Sequence, residues 1–188
     1  MYPALVAILL WFTISVAAVP AWEAARGQTS IGSLVPGASY IEAIGASREK
    51  YRTTHLSALI PGQPGNLTVL HNARAPSLFY INRGQLWQFH NESAIYPVNV
   101  VNSTSITGFP LQLVTGKKQA GIRSGTWRWQ GTVLNYDQGS RGNTGLFYSC
   151  TLEDGTSGVF MFLQPSPTPL QCERMTMHSW LRTYINGQ

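Results

Sequence analysis

A glycosidase needs two carboxylates facing each other across a cleft roughly 5 to 10 Å wide, and the chain has eight acidic residues to supply them. Asp137 with Glu153 or Asp154 is the pair to test, although both sites fall in turn-like sequence, where Asp is common for conformational reasons. A serine hydrolase has less support. The G-x-S-x-G signature is absent, and Gly121-Ile122-Arg123-Ser124-Gly125, half of one, precedes a β hairpin instead of joining a strand to a helix. His55, His71, His90 and His178 lack the i, i+4 spacing that puts two ligands on one helix face, and Glu153-Asp154-Gly155 lacks the spaced acidic pattern of a calcium loop. Neither a catalytic residue, a metal nor a cofactor is therefore expected.

The aromatic residues offer a different chemistry. Trp87, Trp127, Trp129 and Trp180, with Tyr80, Tyr96, Tyr136 and Tyr148, are able to stack on sugar rings. On alternating strands one set of them must face the core. Trp87 and Trp129 are nominated as exposed ligand-stacking residues because charged or amide side chains flank them. Cys150 and Cys172 are most simply one disulfide in an oxidising compartment, worth about 3 kcal/mol, with two buried free thiols as the alternative. Three glycosylation sequons begin at Asn66, Asn91 and Asn102.

These residues need strands to position them. Residues 126–150 read as strand, tight turn at Gln130-Gly131, strand, polar loop, and an aromatic strand ending on Cys150. Trp127 and Trp129 share a face there, and Leu134 and Tyr136 do the same across the turn. The clearest hairpin is 78–81 with 86–89, turning at Asn82-Arg83-Gly84. Further strands are expected at 39–46, 53–60, 67–71, 96–101, 109–114, 159–163 and 172–180. Pro and Gly are dense enough at 61–65 to forbid a helix there. Roughly eleven or twelve short strands imply a single all-β domain. The echo between the two aromatic hairpins favours a β-trefoil-like barrel narrowly over another small barrel or a sandwich.

The net charge is +5 and the pI about 9.5, but Arg and Lys are scattered and only Lys117-Lys118 are adjacent. That pattern argues against nucleic acid as a partner. Residues 1–18 read as a secretory signal peptide with cleavage as late as 21, a signal anchor or core segment being the alternative. Residues 22–38 read as a flexible lead-in and 39–188 as the β domain. The mature chain is expected outside the cell without membrane insertion, since no second long apolar stretch or lipid-anchor tail follows.

The succession YIEAIGASREKYRTTHLSALIPG, LFYINRGQLWQF, GTWRW, TVLNYD, LFYSC, VFMFLQ and a late Cys resembles a family of small secreted fungal proteins, the phialide-associated (PhiA-like) cell-wall proteins. The corresponding positions are His55, Gly84 to Leu86, Thr126-Trp127, Cys150, Val159 to Phe162 and Cys172. This chain has Thr151 where the family pattern has Pro, and it lacks the family's Gly-rich central segment. The resemblance implies a secreted, non-catalytic, cell-wall-associated glycoprotein, structural or carbohydrate-interacting, with wall polysaccharide or a surface glycan as partner. The alternative is a secreted effector or lectin-like module that binds a host protein or glycan.

Overall fold

The structure, a computed structural model, describes residues 37–46, 53–72, 76–104, 106, 108 and 110–180. The signal segment 1–18, its alternative cleavage at 21 and the lead-in as far as residue 36 lie outside the described residues. The described residues form thirteen strands and no helix.

Eight of them close a barrel. In ring order these are β1 (Ser39–Ile44), β4 (Leu78–Asn82), β5 (Gln85–Asn91), β6 (Ala94–Asn102), β7 (Leu111–Thr115), β12 (Ser157–Met161), β11 (Leu146–Thr151) and β13 (Cys172–Trp180). The ring shuts where β13 pairs with β1 from Tyr40↔Trp180 to Ile44↔Thr176, and every pairing around it is antiparallel. Closure removes the exposed edges that an open sheet of this size would have to protect.

Alternation along each strand sets the interior. Ala43 lies opposite Met177 and Phe147 opposite Met175, and all four are buried in one cluster with Phe79, Leu86, Val98, Leu113 and Val159. Side chains fill an eight-stranded barrel of this size, so it is a packed core and not a pore. The β4–β5 hairpin turns through two residues, Arg83 and Gly84, both with positive φ (51° and 75°). A type I′ turn requires that geometry, and its twist matches the flanking strands.

The remaining strands cap the ring. Strands β2 (Thr54–Ala58) and β3 (Leu67–His71) leave β1 at the single pair Glu42↔His55 and cross to β7 and β12. There Gly65 and Thr115 exchange two backbone hydrogen bonds of 3.0 and 2.7 Å, Asn66 bridges Val114, and Thr68 bonds to Ser157. At the other end β8 (Gly125–Gln130), β9 (Val133–Gln138) and the two-residue β10 (Arg141–Gly142) extend from β13 through His178↔Val133. The Trp127 N–H donates to the Gly84 carbonyl at 2.7 Å, tying this hairpin to the β4–β5 turn. Leu56 and Leu67 from one cap, and Trp127, Leu134 and Tyr136 from the other, belong to the same core cluster as the barrel interior.

Cys150 and Cys172 are directly opposite across β11 and β13 and form the expected disulfide, with their Cα atoms 4.1 Å apart. It pins the outer face of these strands, where Tyr148, Phe160 and Ile106 make a second buried cluster. Phe162 meets Tyr148 there edge-on at 5.4 Å.

Candidate functional site

The β8–β9 cap leaves a cleft of about 190 Å³ against the barrel. One wall is the β4–β5 turn with Arg83, Gly84 and Gln85; the other is the segment 119–123, ending on Arg123. Trp127 and Tyr136 lie at the cap side and Val98 to Val100 at the barrel side. The 119–123 segment is held by Asn99, which donates to the Lys118 carbonyl at 3.0 Å and accepts from the Ala120 N–H at 2.9 Å. A parallel bridge between Val100 and Gly121 fixes it further. Gln85 is anchored by donating to the carbonyls of Leu86 and Val98 at 2.8 and 2.7 Å.

The cleft is polar in a one-sided way. Arg83 and Arg123 are exposed at its rim, and none of its lining residues among those described carries a carboxylate. Tyr136 is 1 % exposed and its hydroxyl has no hydrogen-bond partner among the described residues, and burial pushes the phenol above its ordinary pKa. The ring crosses directly over Gly125, where a Cβ would overlap the hydroxyl. Trp127 packs against Tyr136 at 4.8 Å and stacks on Phe147 at 6.4 Å, which sets the cap on the core.

The residues singled out for sugar stacking lie elsewhere. Trp129 shares a face with Trp127, as the alternation predicts, pairing with Leu134 as Trp127 does with Tyr136. That face packs on the core, so Trp129 is half-buried. Trp87 is also half-buried, on the barrel's outer face between Tyr80 and Pro97, with its buried indole N–H unpartnered among the described residues. Burial raises the Tyr80 phenol's pKa as well. Among the described residues the exposed tryptophan is Trp180, 40 % exposed and stacked on buried His55 at 5.9 Å.

The acidic pair is not brought together. Asp137 lies within β9, not in a turn, and forms an ion pair with Arg128. Asp154 belongs to the β11–β12 turn, where the Thr156 hydroxyl and N–H donate to its carboxylate at 2.7 and 2.9 Å and hold its pKa down. The histidines are dispersed: His71 and His90 are exposed, and His178 is half-buried with Thr132 and Thr176 hydroxyls at 3.1 and 3.0 Å from its ring nitrogens. Of the sequon residues, Asn91 and Asn102 are exposed. Asn91 sits at the β5–β6 turn with its side chain accepting from the Ser93 N–H at 2.9 Å. Asn66 is half-buried and its sequon threonine, Thr68, is buried.

Sequence places Arg83 in a hairpin turn and Arg123 in the Gly121–Gly125 half-signature, but marks neither as a binding residue. The one signal was an arginine at a φ-positive position of the clearest hairpin, where Asn or Gly is the usual occupant. No protein-family model, curated protein or solved structure matches this chain, so the cleft has to be read from its own side chains.

Proposed function

We propose that the mature chain is a secreted, non-catalytic, cell-wall-associated protein that works by binding carbohydrate. The observation that carries this reading is the cleft beneath the β8–β9 cap, where two exposed arginines stand above the buried rings of Trp127 and Tyr136 beside a filled barrel. Concave sites of that make-up are where small ligands are held. The carboxylates best placed by sequence for acid–base work are engaged in an ion pair and a turn, which favours binding over hydrolysis. The wall context rests on the resemblance to PhiA-like proteins and on the sequons. The disulfide is compatible with an extracellular compartment.

We take a simple eight-stranded barrel, not a three-lobed trefoil, as the working fold. The two hairpins whose echo suggested lobes occupy unlike places, β4–β5 within the ring and β8–β9 docked on it.

A pull-down of purified, glycosylated protein on insoluble chitin, β-glucan and whole fungal walls, with salt washes to remove charge-driven binding, tests this reading. Salt-resistant retention on one polysaccharide is the expected result. Absence of retention on all three would overturn the wall reading and favour a host-protein partner.

A further inference from the structure

We infer that the cleft between the β4–β5 turn and the β8–β9 cap binds one acidic sugar residue. Its carboxylate or phosphate faces Arg83 and Arg123 at the rim, and its ring occupies the cleft, whose inner end is closed by the buried Trp127 and Tyr136. The inference rests on the carbohydrate-binding reading and names the ligand class for it.

Charge gives the first reason. Two guanidinium groups stand at the rim with no carboxylate among the described lining residues, and Arg83 has no ion-pair partner among them. Arg123 makes one neutral contact, to the Gln119 carbonyl at 3.0 Å. The planar fork of arginine suits carboxylate and phosphate oxygens. By contrast, Arg128 on β8 is already committed to Asp137.

The second reason is Tyr136, a residue lining the cleft whose buried hydroxyl has no hydrogen-bond partner among the described residues. A phenol buried without a hydrogen bond costs stability, and a ligand oxygen reaching it would satisfy the group. Size completes the argument. A volume of about 190 Å³ equals the share of roughly six liquid waters. That is the scale of a single sugar ring and below the roughly 300 to 1,000 Å³ of pockets for larger ligands.

The turn supplies a variant that separates binding from folding. Arg83 holds a left-handed φ of 51° next to Gly84, and Asn-Gly is the preferred pair for such a turn. Arg83→Asn therefore removes the charge while keeping or improving the hairpin. Isothermal titration of the full mature protein would use glucuronate, glucose 6-phosphate, inorganic phosphate and methyl glucoside as probes. At least one sugar anion is expected to bind more tightly than methyl glucoside by roughly tenfold, the size of effect one charge-assisted hydrogen bond gives. Arg83→Asn should weaken that binding by a similar factor with an unchanged or raised melting temperature. Tyr136→Phe should weaken it without loss of stability. A preference for glucuronate marks a uronate site and a preference for glucose 6-phosphate a phosphosugar site; inorganic phosphate binding as well as either would overturn the sugar component.

Equal binding of methyl glucoside and the anions, unchanged binding by folded Arg83→Asn, or no binding of any probe at millimolar concentration would each overturn the inference. Retention on wall polysaccharide alongside any of these results would leave the wall reading standing. Anion binding without wall retention would do the reverse.

Discussion

The two ends of the barrel are closed by hairpins built on opposite principles. The β2–β3 cap is sealed: Leu56 and Leu67 are fully buried in the common core, and its hydroxyls are matched. Ser57 meets Ser77 at 2.9 Å, Ser77 also accepts from the Gln88 amide at 2.8 Å, and Thr68 meets Ser157; the Gln88 Oε1 is the group of this network left without a partner among the described residues. At the β8–β9 cap the aromatic face seats just as firmly, but beside it a cleft remains with a buried, unmatched hydroxyl and two rim arginines. Satisfied polar groups make an end rigid and inert. Unsatisfied ones at a concave surface cost stability, and sites that bind ligands commonly bear that cost.

The largest expected effect compares the apolar seating of the two caps. Trp127→Ala should destabilise by about 3 to 5 kcal/mol and Leu67→Ala by about 2 to 5 kcal/mol, since each empties a fully packed core position. Urea unfolding checks this, and a loss under about 1 kcal/mol at Trp127 would mean the β8–β9 cap is only loosely attached. Next, replacing Cys150 and Cys172 together by Ser should cost about 3 kcal/mol, because the bridge closes a sequence separation of 22 residues between β11 and β13. Thermal melting of the double variant, with and without reductant for the parent, reads that loss. A smaller effect is expected from Gly125→Ala, about 1 to 3 kcal/mol, as the new methyl meets the Tyr136 hydroxyl and pushes the ring toward the cleft. An unchanged melting temperature would show that Tyr136 does not cross this glycine. Smallest of these, Asp137→Asn should cost under about 1 kcal/mol, because its ion pair with Arg128 is largely exposed and screened.

The difference between the ends also explains what could be read from sequence. Strand-forming segments, turns and the disulfide follow from local chemistry, and 67–71 and 172–180 fall where alternation and flanking turn residues place them. Ring closure through β1 and β13 joins residues more than a hundred positions apart, which no local pattern encodes. Trp87 and Trp129 are half-buried where their neighbours suggest exposure, for a geometric reason. Neighbours of Trp129 on β8 point to the opposite face, so Arg128 and Gln130, both exposed, say nothing about the indole between them. At Trp87 the flanking amide Gln88 is itself buried, bonded to Ser77 inside the fold. The cleft was illegible because four stretches separated in sequence line it: the 83–85 turn, the 98–100 stretch of β6, residues 119–127 leading into β8, and Tyr136 on β9.

The contrast between a matched and an unmatched end is most directly tested by urea unfolding of Tyr136→Phe beside Ser57→Ala. Removing the Tyr136 hydroxyl should leave stability unchanged or raise it by up to about 1 kcal/mol, because no partner is lost, whereas Ser57→Ala should lose about 1 kcal/mol with its bond to Ser77. A loss of about 1 kcal/mol or more from Tyr136→Phe would show that the hydroxyl is already satisfied in the free protein, and the β8–β9 end would then be as sealed as the other.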